Sequence, residues 1–126
     1  MRSRLAELIA KEEGFGKPGT LPTRNHNPGD LRHSPHSQHE ADHPEGIGRI
    51  DSDEHGWEDL ERQLRLYAAR GLSLRQMITQ YYAPPGENNS ERYLRDICNG
   101  LGLHESTLVS AALALGDDVL ATREDT

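Results

Sequence analysis

Glu12-Glu13-Gly14 closes the first apolar-patterned stretch of the chain and is the group best suited to move a proton. At about 100° per residue, the two carboxylates flank the stripe of Leu5, Leu8 and Ile9 on opposite sides, and Lys11 points away. A carboxyl held near an apolar wall loses solvation in its charged form, so its pKa rises and it keeps a proton near neutral pH. A general acid for cleaving a glycosidic bond needs that property. Gly14 lets the chain turn at once, leaving the carboxyl to face whatever follows. The competing reading is a pair of solvated surface acids, and acids at a helix C-terminus oppose the macrodipole by roughly 0.3–1 kcal/mol. Spacing alone does not separate the two.

Glycoside hydrolysis usually takes a second carboxyl, roughly 5–5.5 Å from the first for retention and about 6.5–9.5 Å for inversion. Asp30, Glu40, Asp42, Glu45, Asp51 and Asp53 are the candidates, all in or bounding a turn-rich segment. Asp51 and Asp53 read rather as caps of the helix that follows. HSPHSQHEADH, residues 33 to 43, carries four histidines and two acids, but its spacing matches no strong ligand template. With Ser and Pro between the histidines it reads as a mobile loop, pH-sensitive at most, and no metal and no cofactor are expected. Aromatic rings can stack on the apolar face of a pyranose. Tyr82 is the expected cleft ring, with Tyr81 in the core, and Trp57 fits core burial better than sugar stacking.

These groups must be positioned by the elements around them. Leu5, Leu8 and Ile9, widened by Ala6 and Ala10, predict a first helix ended by Gly14, Gly16 and Pro18. Residues 16 to 50 hold no period and many Gly, Pro, His, Asn and Asp, which marks a functional loop, a short hairpin or a partly mobile segment. Trp57, Leu60, Leu64 and Tyr67 predict a second helix capped by Asp51, Ser52 or Asp53, with Gly71 just beyond it. Ser73 with Gln76 is a capping-box pattern opening a third, with Leu74, Met77, Ile78 and Tyr81 as its stripe and Pro84-Pro85 as its stop. A fourth starts near Asn89 or Ser90, carries Tyr93, Leu94, Ile97, Cys98 and Leu101, and closes at Gly100 and Gly102. A fifth is expected from Glu105 to Leu115 through Leu108, Val109, Ala112 and Leu113, with a tail frayed beyond Leu120.

The expected architecture is one mainly α (α+β) domain over residues 1 to 120, with a small irregular or β lobe inserted after the first helix and residues 121 to 126 as tail. At 126 residues the chain has the length of one domain. Its net charge of −7 argues against a nucleic-acid partner, and no apolar run approaches the roughly 20 residues of a membrane span. MRSRLAELIAKEE does not read as a secretory signal, so the chain reads as soluble with no encoded export route. Cys98 stands alone, so no intrachain disulfide forms, and its helical spacing from Leu94 and Leu101 predicts a buried, inert thiol.

An early helix ending in Glu-Gly, a small irregular lobe and then a helical bundle together resemble the lysozyme-like superfamily. RNHNPGDLR, residues 24 to 32, resembles the Arg-Asn-Asn-Asn-Pro-Gly-Asn-Ile-Arg stretch of phage and bacterial proteins of lytic transglycosylase or glucosaminidase type. It is also similar, more loosely, to the Asn-Asn-x-Phe-Gly-Ile-Lys segment of bacterial endo-β-N-acetylglucosaminidases. IDSDEHGWEDLERQL, 50 to 64, looks like the short strand, acidic turn and helix start of that group, and YYAPPGENNSERYL, 81 to 94, resembles its Tyr-Ala-Pro-Pro-x-Glu-Asn-Asp segment. The matches run in order over roughly residues 5 to 103.

The resemblance implies a glycosidase of the cell wall, cutting peptidoglycan or another N-acetylhexosamine glycan at a β-1,4 bond. Glu13, the acid directly before Gly14, matches the catalytic general acid. Asn25 and Asn27 match the polar loop that shapes the cleft, with Arg24 and Arg32 as anchors, and Asp30 falls in the same stretch. The resemblance also gives Glu87, with Asn88, a cleft or lobe-locking role, where spacing alone reads a helix start. His26 and Asp30 stand where the pattern has Asn, altering the polarity of the cleft floor. Related transglycosylases have one essential Glu, the sugar's own 6-hydroxyl attacking to give an anhydro product, which suits one clear acid among many vague ones. A hydrolase remains open, as does a non-catalytic glycan-binding or virion structural module. Localisation stays unassigned, since the enzyme reading needs delivery to the wall by a phage or specialised export.

Overall fold

The computed structural model describes residues 2–39, 46–85 and 89–114. It is mainly helical, and among the described residues there is no sheet; Gln38 pairs with Arg49 and Ser73 with Leu108 in isolated β-bridges. Glu40, Asp42, His43, Glu45, Glu87, Asn88, Leu115 and the tail lie outside the described residues.

Helix α1, Arg4–Glu13, begins at Ser3, whose side chain accepts from the Ala6 N–H at 3.1 Å. The Ser3 N–H and hydroxyl both donate to the buried Glu61 carboxylate, at 2.6 and 2.9 Å, which fixes the start of α1 against the helix carrying Glu61. Gly14 ends α1 in the left-handed conformation, φ 91°, its N–H returning to Ala10 and Lys11. A short helix α2, Leu21–Arg24, lies within the lobe. Helix α3, Asp53–Ala69, is capped by Ser52 rather than by either aspartate: Ser52 Oγ accepts from the His55 N–H, while Asp51 binds the His55 ring and Asp53 the His26 ring. Helix α4, Leu74–Met77, opens with the Ser73/Gln76 capping box. It runs into a π-helical segment, Ile78–Tyr82, closed by the Ala83 N–H bonding to the Ile78 carbonyl at 2.8 Å. Helix α5, Ser90–Leu101, is capped by Asn89 and closed by Gly102 at φ 70°.

Leu5 and Ile9 of α1, Leu60 and Leu64 of α3, Leu74, Met77 and Ile78, and Leu94 and Ile97 of α5 form the core with Val109. Fully burying such a side chain contributes about 1.5–3 kcal/mol. Cys98 is only partly buried at its edge, and burial raises its thiol pKa.

Three expectations change. Gly100 does not end α5; it lies inside the helix because Leu8 packs there, 2.6 Å from where a Cβ would stand. The last helix starts at residue 109, not 105, because 105 to 108 are used as backbone partners: Leu74 and Arg75 donate to Thr107 and Glu105, and Val109 donates to Leu72. Leu108 is consequently exposed. Arg75 secures this turn with two-pronged ion pairs to Glu91 and Glu105, all between 2.8 and 3.0 Å.

The lobe is held by polar groups. Asn27 is fully buried, its amide donating to the Leu31 and Gly48 carbonyls at 2.8 Å each and its oxygen accepting from the Leu31 N–H at 2.9 Å. The Ile50 N–H bonds the Asn25 carbonyl, and Gln38 pairs with Arg49 in one antiparallel bridge. Against α3, the lobe backbone comes so close at Gly56 that a Cβ there would stand 2.1 Å from the His26 carbonyl oxygen. The buried Asp59 carboxylate accepts from Ser34 Oγ (2.5 Å), the His36 N–H (2.9 Å) and His36 Nδ1 (2.6 Å). The loop expected to be mobile is therefore fastened over residues 34 to 36.

Candidate active site

Glu13 is the last residue of α1 and lines two hollows of about 610 Å³ each. One lies between the lobe and the helical body and is lined by Asp30, Arg32, Gln63, Gln80, Tyr81 and Tyr82. The other runs past Glu12 toward Lys17 and α5, where Arg92 and Asp96 face it. A third hollow, about 640 Å³ around Arg2, Trp57, Glu61 and Arg65, does not reach Glu13. Trp57 there is partly buried, edge-on to Phe15 at 5.4 Å and under the Arg2 guanidinium at 4.7 Å, so it packs rather than facing the groove.

Burial is the main cause that pushes the Glu13 carboxyl from an ordinary 4.5 up to about 7, with the Asp30 and Glu12 charges adding to it. The Tyr93 hydroxyl acts in the opposite sense, donating to Glu13 Oε2 at 2.6 Å and favouring the carboxylate. Tyr93 is itself buried on α5, so one oxygen of Glu13 is fixed and Oε1 is left to carry the proton. Glu12, on the exposed side, is also raised, by burial first and then by the Asp96 carboxyl.

Among the described candidates for a second carboxylate, Asp30 lines the groove with Glu13, while Asp51 and Asp53 are paired to His55 and His26. Its backbone is left-handed, φ 50°, a conformation Asn and Asp tolerate better than other side chains. Burial raises its pKa, opposed by the Arg32 charge, and its Oδ1 finds no hydrogen-bond partner among the described residues. A buried carboxylate oxygen without a partner is costly to the fold.

The other predicted binding residues are placed differently. Asn27 has no surface left for a ligand, because all its polar atoms serve the lobe backbone. Asn25 faces a separate small hollow with Leu21, Gln38 and Arg49. Both tyrosines line the groove, but Tyr81, expected in the core, is the exposed one, and Tyr82 is nearly buried. The wider π turn rotates Tyr82 into the core, 8% exposed, with its hydroxyl unpartnered among the described residues. Tyr81 stands 47% exposed in the groove, its ring stacked on Tyr67 at 4.6 Å and 21°. Spacing alone assigned Tyr81 to the α-helical stripe, and no residue in ITQYY signals a π turn. Tyr93 was read only as core, and its bond to Glu13 spans 80 residues.

Comparison with protein-family models, with curated proteins and with solved structures found no match to this chain.

Proposed function

We propose that the chain is a lysozyme-like domain cleaving peptidoglycan glycan strands at the β-1,4 bond between N-acetylmuramic acid and N-acetylglucosamine, with Glu13 as general acid. The observation that carries this reading is a carboxyl that lines two hollows and has its pKa at about 7. Near neutral pH it holds a proton in about half the molecules and can still release it. An exposed glutamate, ionised above about pH 4.3, has no proton to give.

The chemistry follows from the placement. A pyranose face stacks on the Tyr81 ring, which Tyr67 backs. Gln63, Gln80 and Arg32 offer amide and guanidinium groups to N-acetyl and hydroxyl groups. Glu13 Oε1 donates its proton to the bridging oxygen as that bond to the anomeric carbon breaks, and positive charge develops on the sugar. Asp30 is the acid positioned to stabilise that charge or to take a proton from an attacking water. If the sugar's own 6-hydroxyl attacks, the product is an anhydro sugar.

Purified cell walls should lose turbidity with the wild-type protein and not with Glu13→Gln, the rate falling as pH rises through about 7. Equal clearing by both proteins removes Glu13 from the role. Mass spectrometry of the released muropeptides separates reducing-end from anhydro products. A second reading, a glycan-binding or virion structural module that does not cut, is favoured by the net charge of −7 and by two acids inside the groove, which oppose an anionic wall. Walls pulled down with the protein but chemically intact would support it.

A further inference from the structure

Outside the hollows that Glu13 lines, the lobe and α3 bring three ligand-type side chains together. His36 of the lobe and His55 and Glu58 of α3 each offer a donor atom, and these atoms lie within 4.8 Å of one another. His55 and Glu58 are three residues apart and so share one helix face. The two imidazoles stack, with centroids 4.0 Å apart and planes 9° from parallel.

Each ring is also held from behind. Asp59 accepts from His36 Nδ1 at 2.6 Å, and Asp51 accepts from His55 Nδ1 at 2.7 Å. A carboxylate can only accept, so each bond places a proton on Nδ1 and leaves the lone pair of the neutral ring on Nε2. A carboxylate behind the imidazole is the arrangement that orients metal-bound histidines and raises their basicity. Asp59 is in turn fixed by Ser34 Oγ and the His36 N–H, so the His36 ring is preset from two directions.

We infer that His36, His55 and Glu58 form a binding site for one divalent transition-metal ion of the zinc class, completed by water. Two imidazole nitrogens and one carboxylate oxygen are the donor set of such an ion, whereas Mg²⁺ and Ca²⁺ take oxygen ligands. Tetrahedral bonds of about 2.0–2.2 Å put donors about 3.4 Å apart, so the side chains draw together and one ring tilts out of the stack. His36 and His55 are half-buried and Glu58 is exposed, which leaves room for that movement. The ion fastens the lobe to α3 at a point four residues from Arg32 of the groove. The site does not depend on the glycan reading; it stands whether or not Glu13 cuts anything.

Calorimetric titration of tag-free protein with ZnCl₂, in excess MgCl₂, tests this. One ion should bind per chain, with an affinity that His36→Gln and His55→Gln each lower about 100-fold. Asp51→Asn, which touches no ion, should lower it about 10-fold through the ring it orients, and His39→Gln should leave it unchanged. Circular dichroism of each variant confirms that the fold is kept. No binding below millimolar zinc overturns the site. So does a loss with His39→Gln equal to that with His55→Gln, which would mean casual chelation by the histidine-rich loop.

Discussion

In the helical body the fully buried large side chains are apolar, Leu5, Ile9, Leu60, Leu64, Met77, Ile78 and Ile97 among them, whereas the lobe buries Asn27 whole and is bound to α3 through Asp59. The body is stabilised by area removed from water, a non-directional force that survives small shifts. The lobe depends on hydrogen bonds whose partners, once unpaired, cost about 1–3 kcal/mol each. Glu13 belongs to the body and Asp30 to the lobe, so the groove is a seam between a region that tolerates displacement and one that does not.

Gly56→Ala should break that comparison most severely, because it strikes the seam. The new methyl would meet the His26 carbonyl at 2.1 Å and Pro28 at 2.7 Å, and neither is a flexible side-chain end. A loss above about 4 kcal/mol, read by urea denaturation, is expected. Ile97→Ala and Asn27→Ala should then separate the two regions, each costing about 3 kcal/mol by different routes. The first leaves a cavity and lowers protection from hydrogen exchange throughout the body. The second should release exchange in residues 27 to 50 first, with α1 and α5 still protected. Equal protection loss in both variants would mean that lobe and body form one cooperative unit.

Glu13→Gln should raise stability, and only at high pH. The folded carboxyl holds its proton up to about pH 7 and the unfolded one only to about 4.5, so below that lower value the two states are equally protonated and nothing is gained. As pH rises to 7 the fold must carry a poorly solvated charge, and it loses about 2–3 kcal/mol. Glutamine carries no such charge and still accepts from Tyr93. A thermal midpoint raised at pH 8 and unchanged at pH 4 is the expected result. Arg75→Ala should cost least, and less still in high salt, because its ion pairs are exposed and screened.

The body was legible in the sequence wherever one helix settles its own boundaries. Leu5 and Ile9, the Ser73/Gln76 capping box, Asn89 and Gly102 each act within a few residues, so period and cap chemistry suffice. What depends on distant partners was not legible. Gly100 reads as a stop until Leu8 is seen to need its space, and residues 105 to 108 read as helix until 72 to 75 claim their backbone. In the site, spacing left Glu12 and Glu13 equivalent and only the resemblance singled out Glu13, while neither Tyr93, 80 residues away, nor the different placements of Asn25, Asn27 and Asp30 carry a local signal. The acids of a lobe look alike in sequence because what distinguishes them is which side of a folded wall they occupy.

The π-helical segment has a consequence in terms of chain length. A π turn is an α turn that has accommodated one residue more. Removing one residue between Ile78 and Tyr82 would let this segment return to the α period, in which each residue turns by about 100°. Which of two adjacent tyrosines is exposed in the groove and which is nearly buried is therefore a matter of counting. A one-codon deletion or insertion could exchange them without altering any residue's chemistry.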